Sequence, residues 1–244
     1  MSIDHMVSKQ PGLAPKQDGR HGLDRLQGAT VFVDNDSEYV YSHFQTSLDL
    51  DQTIESKHVF EGVADTYGVK IRSYLADNGI FAKEGFKKAV SMANQFIKFC
   101  AVSAHHQNGI VERRIGKLTN DSRTLLLHAQ RHWPEMISNI LWPYAWKEVE
   151  RRDNIFGLNR YGRHPIQHFT GSNVPFPVQL RDQHTWGCPI FVLESKAANG
   201  NKLPKWNPKA RVGISWPFPC SCWLRGFSSQ SKNITCVSSV SCCF

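Results

Sequence analysis

The sequence predicts an α/β fold: a mixed sheet of five strands flanked by helices, with an irregular C-terminal extension. Three observations predict it. The early β-branched and aromatic runs fall in strand-like segments before any helical pattern begins. From about residue 50 the apolar period then switches back and forth between helical spacing and strict alternation. Finally, 244 residues with 41% hydrophobic and 11% aromatic content suffice for one good-sized domain with extensions. An antiparallel start followed by β/α alternation is the pattern of a mixed sheet covered by helices.

Taken in order, "MSIDHM" reads as the end of a first strand with Asp4 in its middle. Val7 to Gly28 is rich in Gly, Pro and charge and reads as a long loop. "ATVFVDND" and "YVYSHF" read as partner strands. "DQTIESKHVFEGVADTYG" carries Ile54, Val59, Phe60, Val63 and Tyr67 near helical spacing and stops at Gly68, a C-terminal cap. "VKIRSYLAD" alternates as a strand and ends at Asp77, "EGFKKAVSMANQF" is a helix, and "IKFCAV" is a short strand. In "HHQNGIVERRIGKL" a polar loop turns into a helix whose apolar face is Val111, Ile115 and Leu118, continued by Ser122 and Leu125. A further helix is expected from Trp133, with Pro134 in its first turn. Residues 155–183 read as an extended connector, and "HTWGCPIFVLES" and "ARVGIS" as short strands around a turn.

The domain organisation that follows is 1–150 as the core, 151–214 as an extension, and 215–244 as a disordered or aberrant tail. That tail holds no acidic residue and five of the seven cysteines: Cys220, Cys222, Cys236, Cys242 and Cys243. They lack zinc-finger spacing and read as incidental. Cys100 lies in an apolar strand and reads as core, and the main body has no disulfide framework. No apolar run is long enough to span a bilayer, and no signal peptide is visible, so no membrane partner is expected. With 29 Lys plus Arg against 21 Asp plus Glu, the formal charge is +8. That favours an acidic partner, nucleic acid being the commonest, although a merely basic soluble protein fits the charge equally well.

Three acids fall in comparable places. Asp4 lies inside the first strand, Asp77 at the end of the fourth, and Glu112 at the start of the helix after "HHQNG". Unscreened, such a group would repel itself and raise its own pKa values. Divalent cations with oxygen ligands relieve that repulsion, and paired ions suit phosphodiester chemistry. Arg113 and Lys117, four apart on a flank of the same helix, could then hold phosphates. Spacing alone does not single these acids out, since three can be matched in most sequences and solvated surface carboxylates are the commoner case.

"ADNGIFA", followed 35 positions after its Asp by the Glu of "SAHHQNGIVERRIGKL", resembles the integrase core of Ty1/copia-type LTR retrotransposons. The wider group is the retroviral integrase superfamily, with a ribonuclease-H-like fold and a D,D,35-E motif. "MSIDHM", "ATVFVDNDSEYVYSHFQ", "HWPEMISNILWPYAWKEV" and "HTWGCPIFVLES…LPKWNPKARVGI" extend the resemblance over roughly residues 1–214. It implies a five-stranded ribonuclease-H-like sheet. It also implies Asp4, Asp77 and Glu112 as catalytic residues and ligands of Mg²⁺ or Mn²⁺. Asp34, in "VFVDND", is the tempting first acid, but its position matches the family's second strand. Asn108 and Gly109 match the flexible active-site loop, and with Arg113, Arg114 and Lys117 they are the candidate DNA contacts. The implied activity is DNA 3′-end processing and strand transfer. Its partners would be element and target DNA and further copies of the chain, with no small-molecule substrate, and it would act in the nucleus.

The sequence also departs from the family. The His/His/Cys/Cys zinc module is not seen, the first strand is expected to be truncated, and the match stops at "KARVGIS". A polyprotein fragment is therefore expected, and a catalytically dead DNA-binding remnant stands as the alternative to an active integrase. His105 and His106 read as polar loop residues, His164 and His168 carry no site, and Trp133, Trp142 and Trp146 read as packing.

Overall fold

The structure is a computed structural model that describes residues 1–13, 25–100, 108–172, 184–193, 205–206, 208–216 and 237–238. Five strands form the main sheet: β1 (Ser2–Leu13), β2 (Arg25–Val33), β3 (Val40–Gln45), β4 (Ser73–Ala76) and β5 (Phe96–Phe99). Their spatial order is β3-β2-β1-β4-β5. The three N-terminal strands pair antiparallel, whereas β4 runs parallel to both β1 and β5. Helices α1 (Leu50–Thr66), α2 (Glu84–Met92), α3 (Gly109–His132), α4 (Trp142–Phe156) and α5 (Pro165–Thr170) complete the core. This is the mixed α/β sheet with flanking helices that the sequence predicts, in ribonuclease-H-like order.

Side chains on a strand alternate between faces, and the two faces here build two separate cores. Met6, Val31 and Val33 pack with Val111 and Leu118 of α3 and Trp146 of α4. Ile3 and Phe32 pack with Phe60 of α1 and Phe86 of α2. Phe32 and Phe60 stack at 4.4 Å between ring centroids. Beneath α1, the wholly buried Lys57 donates to Glu61 at 2.9 Å, and Glu61 also accepts from Tyr74 at 2.5 Å and from Gln95 at 2.6 Å. A buried charge of this kind needs such partners. Asp49 caps α1 by accepting from the Gln52 amide at 2.9 Å, and Gly68, at φ 72°, follows its C-terminus as the sequence indicates.

Three sequence readings are corrected. The expected loop from Val7 to Gly28 is strand at both its ends, since β1 continues to Leu13 and β2 begins at Arg25, and residues 14–24 lie outside the described residues. The ladder is irregular between Val7 and Gly12, where the Gly and Pro residues lie. Gly12 serves close packing, because a Cβ there would stand 2.6 Å from Pro143 and 2.7 Å from Trp142. The Trp142 indole also donates to the Gln10 carbonyl at 2.9 Å. The helix expected from Trp133 begins instead at Trp142, after a 3₁₀ turn at Asn139–Leu141, with Pro143 rather than Pro134 in its first turn. Burial decides between the two prolines: residues 141–146 are all buried, whereas Trp133 and Pro134 are exposed. The connector after residue 155 holds a short helix, α5, started by Pro165 and closed by Gly171 at φ 66°.

In the extension β6 (Pro189–Leu193) pairs antiparallel with β7 (Ala210–Trp216), and β8 (Val237–Ser238) adds to the end of β7. Trp186, 2% exposed, inserts into the α3/α4 core and anchors this segment. Apart from β8 and the end of β7, the tail from residue 215 lies outside the described residues, as do His105, His106 and the tail cysteines. No helix among the described residues is long and apolar enough to cross a membrane.

Candidate active site between β1 and the carboxyl end of β4

The register of the sheet determines which side chains share a site. Ser2 of β1 stands opposite Leu75 of β4, and Leu75 opposite Lys98 of β5. Two residues further along each strand, on the same face, come Asp4, Asp77 and Cys100. Neighbouring strands lie about 4.8 Å apart, so these three form a row across the middle of the sheet. That face is the one covered by α3, because Asp4 pairs in register with Val31, which packs against α3. The β1–β4 ladder is recorded at Ser2–Leu75 alone, so the two parallel strands part just where the acids lie. Asp77 directly follows the last residue of β4, whereas β1 runs on to Leu13, so the crevice lies between the carboxyl end of β4 and the flank of β1.

Glu112 enters from above this row, in the first turn of α3, where the helix dipole favours an acid. The start of α3 is fixed to β1 by Asn108, whose buried side-chain amide donates to the Ile3 carbonyl at 3.1 Å. The acid of α3 is thereby placed next to the acid that follows Ile3.

The electrostatics agree with the geometry. Burial pushes the Asp4 carboxyl up to about 6, the negative charges of Glu112 and Asp77 push it the same way, and the His5 amide, donating at 2.8 Å, opposes them. The Cys100 thiol is also pushed up, first by burial and then by Asp77, Glu112 and Asp4 in turn. Asp77 accepts from the Asn78 amide at 2.6 Å, and the Asn78 side chain donates to the Cys100 carbonyl at 2.9 Å, holding the ends of β4 and β5 together. The roles of Asn78 and Cys100 escaped the sequence reading. The only signals were an Asn directly after the acid and a Cys at the right parity in "IKFCAV". His5 points to the other face, 4.7 Å from the Phe81 ring, and burial lowers it to about 4, so it stays neutral.

Asp34 stands apart from this cluster. Its carboxylate closes the β2–β3 turn, accepting from the Ser37 amide at 2.9 Å and the Ser37 hydroxyl at 2.7 Å.

The candidate DNA contacts differ from one another in what holds them. Asn108 is buried, and its side-chain NH2 group donates to β1 while its Oδ1 has no hydrogen-bond partner among the described residues. Gly109 opens α3 itself, and residues 101–107 before it lie outside the described residues. Arg114 is turned inward, 3.3 Å from Asp153 and from Glu38, and it also donates to the Glu38 carbonyl at 3.0 Å. It ties α3 to α4 and to the β2–β3 turn. Lys117 bridges Asp153 at 2.6 Å and Asp121 at 2.9 Å. Arg113 is exposed and donates to the Gly109 carbonyl at 2.9 Å. Of the histidines read as carrying no site, His164 meets the Gly157 carbonyl at 3.0 Å and His168 lies 3.3 Å from Asp36.

No family model matches the sequence, and no curated protein matches it. Solved structures do. The chain aligns with the simian T-cell lymphotropic virus intasome, solved in complex with PP2A regulatory subunit B56 gamma, at a TM-score of 0.50 and 14% identity, covering 97% of this chain and 77% of that one. The fold is that of a retroviral integrase. The magnesium-bound HTLV-2 integrase catalytic core is similar too: its trimeric form at TM-score 0.44 and 16% identity over 68% of this chain and 92% of that one, and its dimeric form at 0.45 and 16% over 69% and 93%. At these identities the likeness is one of fold.

Among the described residues no three His, Cys, Asp or Glu side chains are gathered into a ready-made metal cage. The integrase-fold acids nevertheless fit a hard divalent cation in donor chemistry and in sign. All three are oxygen donors, and Asp4 is held against its neighbours' charge.

Proposed function

We propose that this chain is the catalytic core of a Ty1/copia-type LTR-retrotransposon integrase. It would process DNA 3′ ends and join them to target DNA in the nucleus, working as a homo-oligomer on element and target DNA. The observation that carries this reading is that β1, the end of β4 and the first turn of α3 bring Asp4, Asp77 and Glu112 to one face of the sheet, near enough for the charges of Glu112 and Asp77 to act on Asp4. The integrase fold and the spacing of Asp77 and Glu112 support it. Asp4, Asp77 and Glu112 would hold Mg²⁺ or Mn²⁺, which when bound supplies charge neutralisation for an attacking oxygen and a leaving oxygen at phosphorus.

The chain's own part is to position. Asp4 and Asp77 are fixed by the sheet, and Glu112 is fixed by the bond from Asn108 to Ile3. The attacking group is water in end processing and a DNA 3′-hydroxyl in strand transfer. The rigid row of acids sets the line of attack. Arg113, exposed on the first turn of α3, is the one α3 candidate whose charge is not taken up by an ion pair among the described residues.

The test uses a branched DNA that mimics the strand-transfer product, incubated with the full chain and Mg²⁺ or Mn²⁺. Resolution by the wild type, abolished by chelator and by Glu112→Gln, is the expected result. A folded wild type that binds the DNA with a steep salt dependence but never resolves it identifies a binding remnant instead.

A further inference from the structure

The α3 and α4 helices pack over β1, β2 and β3, while β5 forms the edge of the sheet. On β5, Ile97 and Phe99 face inward to the α1/α2 core. Alternation therefore turns Phe96 and Lys98 to the opposite face, the face that carries Asp4 and Asp77. Both are exposed there, Phe96 by 72%. Lys98 stands in register with Leu75, two residues before Asp77 on the neighbouring strand. With about 3.3 Å per residue along a strand and about 4.8 Å between strands, its Cα lies roughly 8 Å from that of Asp77. A lysine arm covers most of that distance. Among the described residues no carboxylate pairs with Lys98, in contrast to Arg114 and Lys117. An exposed aromatic ring and an uncommitted cation thus follow one another along a bare strand that leads into the acidic crevice.

We infer that this strip of β5 is the track for a DNA strand entering the site, with Lys98 on a backbone phosphate and Phe96 stacked on an unpaired base. The inference deepens the integrase reading and rests on it. Charge selects the occupant. A strand of nucleic acid supplies the phosphate for Lys98 and the planar π-face for Phe96, and stacking on an aromatic ring tolerates any base. Continuity with the crevice gives the strand a direction, since two more residues along β5 bring it level with Asp77. Arg114 and Lys117 of α3 do not offer this, because their charge is already neutralised within the fold.

The experiment measures binding of the full chain, by fluorescence anisotropy in chelator, to a labelled duplex with a single-stranded 3′ overhang and to its blunt counterpart. Phe96→Ala is expected to weaken binding to the overhang DNA roughly fivefold or more and to leave the blunt duplex unaffected. Lys98→Ala is expected to weaken both and to reduce the log–log salt slope by about 0.9, with Lys98→Arg restoring it. Both side chains are exposed, so thermal unfolding of the variants should match the wild type. If a wild type that binds DNA and resolves the branched substrate binds equally well with either substitution, the track is wrong while the integrase reading stands. Loss of self-association on Phe96→Ala, with DNA affinity intact, would assign the strip to a second copy of the chain and overturn the inference. A wild type that binds no DNA overturns both.

Discussion

A carboxyl group that releases its proton near 6 rather than near 4, as Asp4 does, works against the folded state whenever it is ionised. Between those two values the folded chain holds more protons at Asp4 than the unfolded chain, so stability falls as pH rises through that window. The cost is absent below about pH 4 and complete above about pH 6. Asp4→Asn should therefore stabilise the metal-free protein by about 1–2 kcal/mol at pH 7.5, allowing for solvent screening of a partly exposed group, and by nothing at pH 4. Denaturant melts at the two pH values in chelator check this. If the three acids hold Mg²⁺ as proposed, added Mg²⁺ should raise the Tm of the wild type at pH 7.5 more than that of Asp4→Asn, because an ion held by that group would bind the folded state alone. At this scale the places of the three acids were legible in the sequence: Asp4 inside a strand, Asp77 just after one and Glu112 in the first turn of a helix. The arginine and lysine roles were not, because a charge on a helix flank looks the same whether its partner is a phosphate or Asp153.

At the scale of the element, α3 is held at both of its edges: by Asn108 to β1, and by Arg114 to Asp153 of α4 and Glu38 of the β2–β3 turn. Arg114 is only 15% exposed in its side chain, so its removal leaves two carboxylates short of a partner in a partly dry pocket. Arg114→Met should destabilise the fold by about 1–3 kcal/mol in urea melts. DNA affinity per folded molecule, and its salt slope, should stay unchanged. β2, β3 and the helices α1, α2 and α3 could be placed from their periods of 2 and 3.6. The far half of β1 could not, because Pro11 and Gly12 are local loop signals. Here they mark an irregular ladder and the close approach of α4, a tertiary cause that no window of sequence contains. The start of α4 was misplaced for a related reason: two prolines offer equivalent first turns, and burial of residues 141–146 chooses between them.

At the scale of the whole molecule, the extension is joined to the core where Trp186 and Gly187 meet α3. Gly187 has φ 77°, and a Cβ there would stand 2.9 Å from the Ala129 side chain. Gly187→Ala should lower stability by about 1–3 kcal/mol in thermal or denaturant unfolding, through backbone strain and through that collision together. The sequence showed the extension as two strands but gave no sign of this joint. The whole site also depends on the central strand in a way that belongs to parity rather than distance. β1 shows Asp4 to one face and His5 to the other, and both neighbouring strands read the same count. A slip of β1 by a single residue would not move the acid by a small step. It would turn the carboxylate to the opposite face and bring Ile3 or the neutral His5, according to the direction of the slip, to the place of the acid. Length changes near this strand are therefore all-or-none: an odd shift turns the acid to the wrong face, an even shift keeps the face but sets Ser2 or Met6 where Asp4 stands, and neither leaves a graded intermediate.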